Sequence, residues 1–404
     1  MYTETIKLGS VINDIAAGPF GSNLKVSCFV DRGFPIIDGA NLKGFKVTDN
    51  ITKFVTEEKA RSLHRSIASR NDVIVTISGT LGQIAYIPYD SKYTEYLCSQ
   101  RQFRVSFNTD RVYVPYLVYY FHSREGQYKI LSFANQTGVP ALSQPLKNFK
   151  NIEINLPDIG TQKKIASVLL SIDDKIELNT AINENLEQQA QALLKEFMNR
   201  YNYSLAPLSE ISEVIDCLHS KKPERVYDSN RQLLQLENIK DNGFLDLSYQ
   251  FMISESDYNN WTRKCEIHEG DCVITNVGRI GAVAQAPRDT NVAMGRNMTC
   301  IRLKPQYKIP AFLITVLLSE HMKREIRYNT DEGTIMGALN VKNIPKLQFP
   351  FFEEKVMYEL ENILYVIRKQ FEENSLQNQR LAALRDTLLP KLMSGEIDVS
   401  QVKI

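Results

Sequence analysis

The chain has 404 residues, 43% of them apolar, which suffices for two or three domains with their own cores. Its formal net charge of +1 argues by itself neither for nor against a nucleic-acid partner. No apolar run approaches the ~18 residues of a membrane helix, which excludes the helical membrane-spanning classes.

Taken from the N-terminus, Met1-Tyr2-Thr3-Glu4 opens without a basic-then-apolar leader. The six cysteines (Cys28, Cys98, Cys217, Cys265, Cys272 and Cys300) form no CxxC pair. Reduced thiols and a cytoplasmic location are the expectation. Residues 1–157 carry 18 Lys/Arg against 13 Asp/Glu, so the basic surplus sits in this segment. Short β-branched runs with Gly, Pro and Asn punctuation predict a curved, mostly antiparallel sheet with a few helices. Within it lies Asp72-Val-Ile-Val-Thr-Ile-Ser-Gly79-Thr80-Leu-Gly82-Gln83-Ile-Ala85, read as strand, GxxG turn, strand. A polar cluster follows, Ser99-Gln100-Arg101-Gln102-Phe103-Arg104, then Val114-Pro-Tyr-Leu117 opening an apolar helix. Gln136-Thr137 and Ser143-Gln144 stand in the loop before the segment ends.

Residues 158–203 read as one long helix. Residues 204–350 then repeat the first segment, and 351–404 repeat the helix. Asp271-Cys-Val-Ile-Thr-Asn-Val-Gly278-Arg279-Ile-Gly281-Ala-Val-Ala284 answers the strand–turn–strand run at a shift of 199 residues. Phe103-Arg-Val105 is matched with Ile301-Arg-Leu303, Val114-Pro with Ile309-Pro, and Lys147-Asn-Phe149 with Lys342-Asn-Ile344. A period this long means a duplicated domain pair, not a solenoid.

In the first helix a 4-3 spacing runs through Ile165, Leu169, Ile172, Ile176, Asn179, Asn183, Leu186, Ala190, Leu193 and Phe197. In the second it runs through Leu360, Leu364, Ile367, Phe371, Asn374, Asn378, Leu381, Arg385, Leu388 and Leu392. A 3.5-residue period predicts a coiled-coil seam, and a seam Asn fixes register because it needs a polar partner. Antiparallel pairing sets Asn179 against Asn378 and Asn183 against Asn374, and puts the two domains at opposite ends of the rod. It also sets Ile172 against Arg385, whose head is then expected to snorkel outward. The simpler alternative is two amphipathic helices, each packed on its own domain. The expected fold class is therefore α+β, two similar mixed β-rich domains separated by two long helices forming an antiparallel coiled coil.

Catalytic signatures are missing. No Gly precedes Lys, so there is no Walker A sequence, and no Pro-Pro, GxSxG or HExxH occurs. Cys265, His268 and Cys272 come nearest to a metal pattern but lack a fourth ligand, and Cys272 answers Val73 inside a strand. No catalytic residue, metal or cofactor is expected. What remains suits nucleic-acid contact. The glycines of the GxxG turns (Gly79 with Thr80 and Gln83, and the turn around Arg279) let backbone approach a ligand, though an ordinary hairpin uses glycine too. Gln100, Arg101, Gln102 and Arg104 in the first copy, and Arg296 and Asn297 in the second, are side chains that bond purine edges. Strand polarity facing solvent explains any one of them equally well. Gln136 and Thr137 add polar groups, and Lys221, Lys222 and Arg324 suit phosphates.

The chain resembles the specificity subunits of Type I restriction-modification systems along essentially its whole length. Gly18-Pro-Phe-Gly21-Ser22 and Asp216-Cys-Leu-His219-Ser-Lys-Lys-Pro223 look like domain openings of that family. Leu156-Pro-Asp-Ile-Gly-Thr-Gln162-Lys-Lys-Ile165 resembles its central helical entry, and Leu381 to Ile397 its C-terminal ending. The distal entry, Pro350-Phe-Phe-Glu-Glu-Lys-Val, departs by lacking the Gln. The resemblance implies target-recognition domains at 1–157 and 204–350, each binding half of a bipartite, asymmetric site in double-stranded DNA. It implies helical spacers at 158–203 and 351–404 that set the gap and dock two methyltransferase subunits, with a restriction subunit joining for cleavage. Adenine methylation then belongs to the partner. Two other classes compete: a methyltransferase or nuclease with an unrecognised site, and a two-domain protein-binding scaffold.

Overall fold

The computed structural model describes residues 3–135, 139–331 and 337–402. The chain divides into two compact units, Met1–Asp174 with Ala382–Ile404, and Lys175–Leu381. Each has the same antiparallel four-stranded sheet. In the first unit the order is Ile12–Ala17, Gln102–Phe107, Val73–Thr76, Ile84–Tyr86. In the second it is Ser212–Asp216, Met298–Leu303, Cys272–Thr275, Val283–Gln285. The strands Val73–Thr76 and Cys272–Thr275 are buried on both faces, which explains why their sequences are apolar without alternation. A two-stranded ribbon brings the ends of each sheet segment together, Thr3–Lys7 with Glu153–Pro157 and Tyr203–Pro207 with Gln348–Phe352. Two short helices follow each sheet, Val114–His122 and Arg124–Leu131, then Pro310–Leu317 and Glu320–Tyr328. In both copies a serine, Ser123 or Ser319, caps the second helix with its hydroxyl.

Strand register corrects one part of the sequence alignment. Gln102 pairs with Thr76 and Met298 with Thr275, so Arg104 stands where Cys300 does, and Arg302 stands where Ser106 does. The match of Phe103-Arg-Val105 to Ile301-Arg-Leu303 is thus slipped by two residues. A slip of two leaves every side chain on its own face of the sheet, so the apolar pattern does not reveal it. The units differ more in what surrounds the shared sheet. The first adds a five-stranded sheet, Phe29–Val30, Phe54–Val55, Phe34–Ile37, Glu95–Cys98, Ile67–Ser69, with one parallel pair. The second has two short ribbons instead, Arg231–Gln232 with Met252–Ile253 and Glu266–His268 with Asn291–Ala293.

The long helices span Ile159–Arg200, 42 residues, and Glu354–Ser394, 41 residues. Their parts within the second unit run antiparallel. Asn179 Nδ2 donates to Asn378 Oδ1 at 2.9 Å, and Asn374 Nδ2 donates to Asn183 Oδ1 at 2.9 Å. Away from these polar layers the apolar stripe serves each unit's own core. Ile165 and Leu169 join Leu389 and Leu392 under the first sheet, and Leu194 and Phe197 join Leu360 and Leu364 under the second. The buried residues there are Leu194 and Leu389 rather than the heptad positions Leu193 and Leu388. A helix packed on a domain follows its natural 3.6 period, which drifts off a 3.5 repeat by about 20° per heptad and so by nearly one position over the four heptads from Ile165 to Leu193 or from Leu360 to Leu388.

Arg385 does not snorkel to solvent. Its Nη1 donates to Asp173 Oδ1 at 2.8 Å and its guanidinium lies 4.9 Å from the centre of the Phe45 ring. Asp173 is buried and also accepts the Tyr119 hydroxyl, so the charge is paired inside the first unit. The missing Gln of the distal entry has a structural replacement. In the first unit Gln162 accepts the Tyr113 N–H at 2.8 Å, at the start of the helix Val114–His122. In the second, Glu361 does this work, accepting from Ala311 at 3.2 Å and Phe312 at 2.6 Å. Burial pushes its carboxyl up to about 7, against the opposing effect of those two N–H groups. No helix among the described residues is long and apolar enough to cross a membrane.

Candidate nucleic-acid interface

In the first unit, strand ends and turns surround a concavity of about 670 Å³. Gly79, Thr80, Gln83, Gln100, Arg101 and Gln102 all line it, so the structure brings these six sequence candidates together. Their roles within it differ. Arg101 is exposed, with no hydrogen-bond or ion-pair partner among the described residues, and a Cβ on Gly79 would sit 3.8 Å from its Nη1. Thr80 is likewise exposed. Gln100 is a clamp, donating from Nε2 to the carbonyls of Gly21 at 2.9 Å and Leu24 at 2.7 Å. Gln83 ties the wall together by donating to the Gly39 carbonyl at 3.0 Å.

Two candidates change role in the folded chain. Gln102 is 1% exposed and accepts the Ser99 hydroxyl, so it shapes the hairpin from inside instead of presenting an amide outward. Arg104 donates to Asp14 Oδ2 at 2.6 Å and to the Arg65 carbonyl at 3.0 Å. Its guanidinium holds the Asp14 carboxyl below the usual range. With the side chain only 12% exposed and Nε and Nη2 so engaged, the guanidinium is held against the protein. In the second unit Arg302 is committed the same way, to Asp271 at 2.9 and 2.5 Å. Arg279 is also tied back, to the Ile239 carbonyl at 2.6 Å and to Asp241. Gln136 and Thr137 lie outside the described residues.

Arg296 and Asn297 are exposed in the second unit. Asn297 adopts a φ of +62°, and its carbonyl accepts from Asn276 at 2.8 Å, as the Arg101 carbonyl accepts from Ile77 at 2.6 Å. Asn297 therefore occupies the place of Arg101 in the duplicated hairpin. Lys221 and Arg324 are exposed, and Lys222, also exposed, rests over the Phe251 ring at 4.2 Å. The second glycine of each GxxG turn has a packing reason. A Cβ on Gly82 would lie 2.3 Å from Gln127 Oε1, and one on Gly281 2.6 Å from Ile326 Cγ2. The first glycines, Gly79 and Gly278, stand at φ of +98° and +86°, where a Cβ would meet only ordinary contacts, Arg101 Nη1 at 3.8 Å and Leu236 Cδ1 at 3.5 Å. They are the ones that leave backbone approachable.

One wall of the cleft escaped the sequence reading. Asp38 and Asn41 form a capping box, with Asp38 N–H donating to Asn41 Oδ1 at 3.0 Å and Asp38 Oδ1 accepting from Ala40 at 2.9 Å. Burial opposes ionisation of Asp38, yet Lys53 and the Ala40 N–H hold its carboxyl below the usual range. Gln235 and Asn238 form the same box in the second unit. Its signal was present in Ile36-Ile-Asp-Gly-Ala-Asn41-Leu and Leu233-Leu-Gln-Leu-Glu-Asn238-Ile, at a shift of 197 residues. Phe20 and Val26, both 81% exposed, stand on the loop that Gln100 clamps.

Comparison with known proteins bears on what this surface does. A family model described as "Type I restriction modification DNA specificity domain" matches residues 26–188. The chain is 21% identical over 392 residues to the type I restriction enzyme HindI specificity subunit of Haemophilus influenzae, covering 78% of this chain and 84% of that one. It is 23% identical over 376 residues to the MjaIX specificity subunit of Methanocaldococcus jannaschii, covering 86% and 82%. In fold it is similar to the crystal structure of the type I restriction-modification S subunit from M. genitalium, with a TM-score of 0.57 at 15% identity over 96% of both chains.

Proposed function

We propose that the chain is a DNA-specificity subunit of a type I restriction-modification system, and that each of its two sheet domains reads one half of a bipartite, asymmetric site in double-stranded DNA. The observation that carries this reading is the duplicated hairpin. At one place in each copy it presents exposed side-chain donors without a partner among the described residues, Arg101 in one and Arg296 with Asn297 in the other, beside a glycine turn. Arg bonds guanine and Asn bonds adenine through paired donors and acceptors on the major-groove edge. Lys221 and Lys222 supply phosphate contacts, which position the domain without reading sequence. The recognition domains are residues 1–157 and 204–350. The helical segments 158–203 and 351–404 dock two methyltransferase subunits, with restriction subunits joining for cleavage. Catalysis resides in those partners, and this chain contributes recognition.

The test is selection of duplexes from a randomised library by the chain with its methyltransferase partner. Arg101→Ala should relax base preference in one half-site only, and Arg296→Ala in the other only, each by about 1–3 kcal/mol at one position. If both variants keep full affinity and preference, the hairpins are not the readers. Binding should also weaken steeply with salt, which a protein-binding scaffold would not require. Methyl transfer or cleavage by the lone, pure chain would contradict the division of labour.

A further inference from the structure

The opening of the second domain carries a feature that base reading does not use. At the end of the strand Ser212–Asp216 the chain turns through Cys217, Leu218 and His219. One carboxylate oxygen, one thiol sulfur and one imidazole nitrogen there lie within 4.8 Å of one another. His219 Nε2 is 2.8 Å from Asp216 Oδ2. The other oxygen, Asp216 Oδ1, is buried and has no hydrogen-bond partner among the described residues. Buried polar atoms in folded proteins are nearly always satisfied, so an orphan carboxylate oxygen on a residue of this cluster leaves a place for a cation. Cys217 is 2% exposed and free, and like Cys98 and Cys272 it packs in an apolar cluster, but a carboxylate and an imidazole stand beside it. The His219 side chain is 70% exposed, so the cluster opens to solvent on one side.

We propose that Asp216, Cys217 and His219 bind one thiophilic divalent cation, Zn²⁺ by its chemistry, with a fourth position open to solvent. Sulfur and imidazole ligands together select zinc-like ions over Mg²⁺ and Ca²⁺, which require oxygen. On binding, the Cys217 thiol gives its proton to solvent and the thiolate takes the metal, while neutral His219 supplies a ring nitrogen. The ion would satisfy Asp216 Oδ1 and pin the turn that leads into Lys221 and Lys222. Cys265, His268 and Cys272, the nearest pattern in the sequence, are not the site. Cys272 is fully buried in its strand and His268 is bonded to Asn291. The Asp-Cys-x-His spacing matches no common zinc signature, so only the turn in the backbone shows the convergence.

Titration of the full-length chain with Co²⁺ under reducing conditions tests this, followed by the thiolate-to-cobalt charge-transfer absorption. One ion per chain should bind, and Zn²⁺ should displace it. Cys217→Ser should abolish the band. His219→Ala, at an exposed position where folding is not at risk, should weaken binding at least tenfold. Absence of the band in the unaltered chain overturns the proposal. So does a band that persists undiminished in Cys217→Ser, or one that is unaffected by His219→Ala.

Discussion

Asn374 donates to Asn183 at 2.9 Å between the paired helices of the second unit, and Asn183 passes the chain on to the Phe371 carbonyl at 3.1 Å and the Ser375 hydroxyl at 3.0 Å. Both asparagines are buried, so each amide depends on the other. Asn374→Val should cost about 1–3 kcal/mol, because it strands the Asn183 carbonyl oxygen. The double change Asn183→Leu/Asn374→Leu should recover most of that loss, since an apolar layer needs no partner. Urea unfolding of the three chains measures it. Equal losses in the single and double variants would mean the polar layer is not coupled as the geometry indicates.

The Asp173–Arg385 pair makes a second prediction. Arg385→Met should destabilise the first unit by ~3–5 kcal/mol, because the buried Asp173 loses its charged partner and keeps only the Tyr119 hydroxyl. Adding Asp173→Asn to that variant should restore part of the loss. A double-mutant cycle on the unfolding midpoint reads the coupling directly.

Glu361 predicts a pH dependence. Its folded pKa of about 7 lies above the ordinary carboxylate value, so between about pH 5 and 7 the folded chain holds a proton that the unfolded chain has lost. Its contribution to stability is therefore greatest in acid and falls as pH rises through that window, by at most ~3 kcal/mol. Glu361→Gln should flatten this part of the stability profile, measured as urea midpoints from pH 5 to 8. A profile unchanged by the substitution would exclude Glu361 as its source.

If the helical segments set the gap between half-sites, shortening them should move it. Removing residues 176–182 and 375–381 takes one heptad from each helix and leaves both members of the Asn183–Asn374 pair and of the Asp173–Arg385 pair, though not Ser375. The helices shorten by ~10 Å. The preferred unread gap should shrink by about three base pairs at ~3.4 Å rise, with both half-sites unchanged. A folded, binding variant whose preferred gap does not move would show that the helices do not measure it.

Alternation and period are local properties, and they were enough for the sequence alone to determine the duplicated architecture. Two β-rich units with the same order of elements along the chain and two long helices were legible because burial on both strand faces and a 3.5-residue stripe each leave a residue pattern. Partnership leaves none, and there tertiary structure decided. Gln100, Gln102, Arg104 and Arg279 have the composition of base readers. Yet the carbonyl of Leu24, the hydroxyl of Ser99, the carboxylate of Asp14 and the carbonyl of Ile239 occupy them, all brought close by folding. Arg101 and Arg296 look no different in the sequence, and their exposed side chains have no partner among the described residues. The same holds for Arg385, which a heptad marks as a misfit and Asp173, on the other helix, makes a buried ion pair. A side chain's type states what it can bond. Which of those bonds is already made depends on groups that only the folded backbone brings within 3 Å, and that residue decides whether a polar group holds the fold or remains free to meet DNA.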